Sequence, residues 1–109
     1  MTTQTTTTHV LELITYRAKS GTTEADLIAS HDAVNRLVKA QPGFLYRSVS
    51  RDSDQLWYDI IYWQDEQSAT AGGEAFLASE AGQQLCNLAD MESCKMLKMP
   101  LIRSMCCDS

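Results

Sequence analysis

Leu56-Trp57-Tyr58-Asp59-Ile60-Ile61-Tyr62-Trp63 is the stretch on which the fold turns. Read with the two-residue period of a strand, it puts Trp57, Asp59, Ile61 and Trp63 on one face and Tyr58, Ile60 and Tyr62 on the other. Neither face is polar. A strand of this kind belongs in the middle of a sheet, with cover on both sides. Upstream, Asp52-Ser53-Asp54-Gln55 is turn chemistry, and Phe44 to Arg51 is a second β-rich run, so the two strands form an antiparallel hairpin.

Further toward the N-terminus, His9 to Arg17 (HVLELITYR) predicts another central strand. Val10, Glu12, Ile14 and Tyr16 share one face; Leu11, Leu13, Thr15 and Arg17 share the other. Between this strand and the hairpin, Thr23 is placed to cap a helix, with Glu24 and Asp26 in its first turn. Leu27, Ile28, His31, Val34, Leu37 and Val38 follow at helical spacing, with Ser30 on the polar side. Gln41-Pro42-Gly43 ends the helix. Beyond Trp63, Asp65 caps a second helical region that Gly72-Gly73 is expected to break, and Ser79 caps a further turn-rich helix through Leu88 and Ala89. Ser93 to Ile102 reads as a last strand, with Pro100 at a sheet edge or strand end.

The order is β-α-β-β-α-β, an α+β chain with the ferredoxin-like arrangement: a four-stranded antiparallel sheet with its helices on one face. The strands are apolar on both sides, so the face opposite the helices needs a cover. A second copy of the same sheet is the simplest one, which predicts a two-fold homodimer.

Composition agrees with one domain and narrows the partners. The chain has 109 residues, 44% of them hydrophobic, and a formal charge of −5. Its basic residues form no run, which argues against nucleic acid and anionic membrane as partners. No apolar stretch is long enough to span a bilayer. Residues 1–8 are nearly all threonine and are expected to be a tail ahead of a domain over 9–102, with 103–109 as a C-terminal tail. No export signal is evident, so a cytoplasmic location is expected. Cys86, Cys94, Cys106 and Cys107 have no zinc-type spacing and read as free thiols.

Several of these segments resemble the antibiotic-biosynthesis-monooxygenase-like group of dimeric α/β-barrel proteins. They are Tyr16-Arg17 before Gly21, Gln41-Pro42-Gly43-Phe44, and Ile61-Tyr62-Trp63 followed by Gln64-Asp65-Glu66 and an alanine-rich helix. The likeness runs from Val10 to about Ile102. It implies a homodimer with facing sheets and a pocket between sheet and helices in each subunit. Some members oxygenate polycyclic aromatic compounds with molecular oxygen and no cofactor; others degrade haem. The haem branch requires asparagine, tryptophan and histidine at positions that correspond here to Ile14, Gly72 and Gly82, which disfavours haem.

Three residues stand out as proton-handling candidates. His31 lies in an apolar helical stripe, and its imidazole titrates near neutral pH. Glu12 and Asp59 are acids in apolar strands, where burial without a partner is costly. If the strands register as expected, all three face the helices and can take a proton from a phenolic or enolic ligand. The alternative is a structural network that pairs the acids with Arg, Tyr or Trp groups. Trp63, Trp57, Tyr16, Ile14 and Met96 are the candidate contacts for a small hydrophobic or aromatic ligand. No phosphate-cradling loop, metal-ligand spacing or Ser-His-Asp order is present, so no cofactor is expected and any oxygenation would be cofactor-free. A non-catalytic binding or structural protein and a non-oxidative isomerase or cyclase remain open beside it.

Overall fold

A computed structural model describes residues 8–105. The threonine run at 1–7 and the Cys106-Cys107 pair, both assigned above to tails, lie outside the described residues. The elements are β1 (Val10–Ala18), α1 (Glu24–Lys39), β2 (Phe44–Arg51), β3 (Trp57–Trp63), α2 (Glu66–Ala78), α3 (Glu80–Leu88) and β4 (Ala89–Pro100). All strand pairs are antiparallel, in the order β2-β3-β1-β4. The two strands that are apolar on both faces, β1 and β3, are the central ones. Their register runs from Val10↔Trp63 to Tyr16↔Trp57, which sets Glu12 opposite Ile61 and Ile14 opposite Asp59. The result is the expected ferredoxin-like α+β fold.

Helix α1 starts at the predicted cap. Thr23 Oγ1 accepts the Asp26 N–H at 3.1 Å, and the Asp26 carboxylate accepts the Thr23 N–H at 3.4 Å, closing a capping box. Its buried stripe is Leu27, Ser30, His31, Val34 and Val38. The stripe is turned from the expected one: Ile28 is exposed and Ser30 is buried. Ser30 and Val34 are four residues apart on the sheet-facing arc, and that geometry outweighs the polarity of Ser30.

Two boundaries differ from expectation. The Gly72-Gly73 pair does not break α2, which runs unbroken from Glu66 to Ala78; the chain bends at Ser79 instead. Gly72 is there for space, because a Cβ at this position would fall inside the indole ring of Trp63. Strand β4 begins at Ala89 rather than Ser93. Its pairing to β1 is irregular between Thr15 and Arg17, where Ser93 Oγ accepts the Arg17 N–H at 2.8 Å. β4 is an edge strand, and Pro100 is its last residue, where a missing N–H costs no central ladder bond.

The core lies between the sheet and the three helices and is built on Trp63, Leu27, Val34, Val38, Tyr16 and Ile61. Among the described residues nothing covers the opposite sheet face. It carries Leu11 and Leu13 from β1, Ile60 and Tyr62 from β3, Tyr46 from β2, and Leu97 and Met99 from β4. No helix among the described residues is long and apolar enough to cross a membrane.

Candidate functional site

On the helix side of the sheet is a cavity of about 220 Å³. Glu12, Ile14 and Tyr16 of β1 and Ile61 and Trp63 of β3 form its floor. Val34, Val38, Gly72, Phe76 and Leu85 roof it, and Cys86, Cys94 and Met96 close the side toward β4. Its walls are apolar apart from the Tyr16 phenol and one carboxyl group.

That group is Glu12. Its Oε1 accepts the indole N–H of Trp63 at 2.7 Å, a bond buried between β1 and β3. Oε2 has no hydrogen-bond partner among the described residues. Burial raises the Glu12 pKa above its ordinary value; the Trp63 bond and the charge of Lys98, its register partner on β4, offset this only in part. Trp63 is fixed on two further sides, by the edge-on ring of Phe44 (centroids 6.0 Å apart) and by Gly72. The indole therefore orients the carboxyl group, and the sequence from β1 to α2 converges on that bond.

His31 and Asp59 do not line the cavity. They lie behind its Tyr16 wall, joined by Arg47 of β2, which no sequence motif marks. The Arg47 guanidinium is buried and forks onto Asp59, with Nε–Oδ1 at 3.0 Å and Nη2–Oδ2 at 2.6 Å. Nη2 also donates to His31 Nδ1 at 2.8 Å, and Nη1 donates to the His31 carbonyl at 3.2 Å and to Asn35 Oδ1 at 2.6 Å. All five N–H groups of the arginine are thereby used, which is what permits its burial. On its other side, His31 Nε2 lies 2.6 Å from the Tyr16 hydroxyl. Burial, reinforced by the charge of Arg47, pushes the His31 pKa down to about 4, so the imidazole is neutral at pH 7. Trp57 stacks on both rings, with centroids 5.8 Å from His31 and 6.2 Å from Tyr16.

Of the residues singled out from sequence, Glu12, Ile14, Tyr16, Trp63 and Met96 meet at the cavity, with Met96 at its exposed rim. Trp57 instead forms the wall of a polar hollow at the far end of the sheet, among Arg17, Lys19, Glu24 and Arg51. The cations of that hollow are largely matched already. Arg51 pairs with Glu24 and lies over Trp57, and Arg17 donates to the Asp54 carbonyl at 2.6 Å. Burial raises the pKa of the Cys86 and Cys94 thiols, which keeps them protonated and part of the apolar wall. Among the described residues, no cluster of three His, Cys, Asp or Glu side chains has the arrangement of a metal site.

The fold has counterparts among solved structures. SnoaB from Streptomyces nogalater, a cofactor-independent oxygenase, superposes with a TM-score of 0.72 at 14% identity, over 90% of this chain and 97% of that one. Its fold is this fold. A Caulobacter crescentus protein provisionally assigned as an antibiotic biosynthesis monooxygenase gives a TM-score of 0.74 at 13% identity, over 90% and 93% of the two chains. PA3566 from Pseudomonas aeruginosa gives 0.70 at 19% identity, over 92% and 100%. No family model and no curated protein matches the sequence. At these identities the likeness is one of fold.

Proposed function

We propose that the protein is a homodimer that takes a small, flat, apolar molecule into the cavity on the helix side of each sheet, and that Glu12 exchanges a proton with it in a cofactor-independent monooxygenation. One observation carries this reading: a largely apolar cavity with a single carboxyl group, which is aimed by Trp63 and has a pKa raised by burial. Such a group is a stronger base than an ordinary carboxylate, and it sits where water competes poorly. The oxygenase activity of SnoaB, on the same fold, supports the choice of reaction.

The chemistry balances without a further reductant. Glu12 takes a proton from an acidic C–H or O–H of an electron-rich ring ketone, leaving a carbanion or enolate. That anion gives an electron to dioxygen, and the two recombine to a hydroperoxide at carbon, reprotonated by Glu12. Loss of water from the hydroperoxide converts the original CH2 into a carbonyl: one oxygen atom stays in the product, and the other leaves with the two hydrogens. The open sheet face supplies the dimer contact, since Leu13, Ile60 and Leu97 form an apolar row across three strands that no element among the described residues covers.

Two measurements test the reading. Equilibrium sedimentation is expected to give twice the chain mass at micromolar concentration. Oxygen uptake with an anthrone is expected to be saturable and to fall at least 100-fold in Glu12→Gln, which keeps an acceptor for the Trp63 N–H but removes the base. A competing reading, a binding protein without chemistry, draws on the pairing of both buried acids, Asp59 with Arg47 and Glu12 with Trp63. It predicts saturable binding and no oxygen uptake by the wild type. An isomerase or cyclase would transform the ligand with no uptake of oxygen.

A further inference from the structure

The proton positions around His31 follow from its partners. A guanidinium has no acceptor, so at the 2.8 Å contact with Arg47 Nη2 it is His31 Nδ1 that accepts. The imidazole is then the Nε2–H tautomer, and at the 2.6 Å contact with Tyr16 it is Nε2 that donates, to the phenol oxygen. Tyr16 keeps its own hydrogen, and His31 is its only hydrogen-bond partner among the described residues. Ser30, a buried hydroxyl, has no partner among the described residues and does not take it. Tyr16 lines the cavity and His31 does not.

From this we infer that Tyr16 is the hydrogen-bond donor of the cavity, and that Arg47 and His31 are positioning residues that lock its phenol oxygen as an acceptor on the far side so that its O–H is left for a ligand oxygen. The chemistry that fits is a neutral acceptor, a ketone or quinone carbonyl, on an otherwise apolar ring system. The inference rests on the ligand-binding reading of the cavity. Three further features support it. Burial and the negative charge of Asp59 hold the Tyr16 pKa well above its ordinary value, so the phenol keeps its proton. A phenol that accepts a hydrogen bond is also a stronger donor through its own O–H. Finally, Glu12, Ile14 and Tyr16 lie at alternate positions on one strand face, which sets the carboxyl and phenol residues about 13 Å apart along β1. The donor and the base therefore serve opposite ends of an elongated ligand, with Ile14 between them as an apolar floor.

The test uses the wild-type protein first. Long-range 1H–15N correlation spectra at pH 7 are expected to show His31 Nε2 protonated and Nδ1 bare; the opposite tautomer would overturn the inference with no variant needed. Titrations with 1-tetralone and with its hydrocarbon counterpart tetralin, followed by backbone shifts, then read the donor. The ketone is expected to bind about five- to tenfold more tightly than the hydrocarbon. Tyr16→Phe is expected to abolish that preference, read as the ratio of ketone to hydrocarbon affinity within the same variant. A preference that survives Tyr16→Phe, or none in the wild type, overturns the donor role while tetralin binding keeps the cavity reading intact. Failure of tetralin itself to bind removes the cavity reading and the inference together.

Discussion

Replacement of Arg47 by methionine is expected to lower the unfolding free energy by about 3–5 kcal/mol. The side chain is 2% exposed, and all its donors are committed. Its removal leaves the Asp59 carboxylate, 7% exposed, with no counter-charge, and takes away the donor to His31 Nδ1. Much of this cost is the burial of an unpaired charge rather than the worth of the pair itself. The double variant Arg47→Met, Asp59→Leu is therefore expected to regain most of the loss, because neither charge is then left alone. Urea unfolding of the two single variants and the double, at one protein concentration, measures this directly. Losses that simply add in the double variant would mean that the pair is not the unit described here.

The same residue shows where sequence reading stops. The fold was legible because its determinants are local: strands apolar on both faces at Val10–Tyr16 and Trp57–Trp63, a Thr23 capping box, and turn residues between the hairpin strands. Arg47 was not, because of a bulge. Phe44 pairs with Trp63, and Tyr46 with Tyr62, so one extra residue, Leu45, sits between them. Regular alternation counted from Phe44, which faces the helices, places Arg47 on the opposite face. The bulge reverses that parity and brings Arg47 and Val49 round to the side of Asp59. The acids and the histidine were visible as anomalies in apolar patterns, but their shared partner was hidden by a one-residue shift. Gly72 misled for a related reason. Its low helix propensity is a local property, whereas the indole that requires it comes from β3. At the cavity, Glu12, Ile14, Tyr16 and Trp63 could be placed on one sheet face from alternation alone. Which acid the cavity would include depended on where α2 and α3 cover the sheet, and no periodicity reports that.

Acidification is expected to destabilise the fold through His31 before it titrates most carboxylates. An unfolded histidine takes up its proton near pH 6.5, but in the fold this happens only near pH 4. Between those values the unfolded chain holds more protons, so stability falls as pH drops from 6.5 to 4 and levels off below; the loss amounts to about 3 kcal/mol. The groups facing the ring explain the sign. Arg47 from β2 opposes a second positive charge, and Tyr16 from β1 and Trp57 from β3 exclude water. Asp59 from β3 and Asp32 on α1 itself pull the other way and do not prevail. Glu12 contributes with the opposite sign, since its raised pKa favours the fold when protonated, and its contribution is lost as pH rises through the folded value. Comparison with His31→Gln separates the two: the wild-type unfolding free energy is expected to fall by about 3 kcal/mol relative to the variant between pH 7 and pH 4. Parallel curves would show that His31 is not held neutral. The position of the break is fixed as well. A protonated ring still donates Nε2–H to Tyr16, but its new Nδ1–H meets the Arg47 N–H, donor against donor. The first resonances to move on acidification should thus belong to Arg47 and Asn35, on the β2 side of α1, while those of Tyr16 hold until the helix detaches.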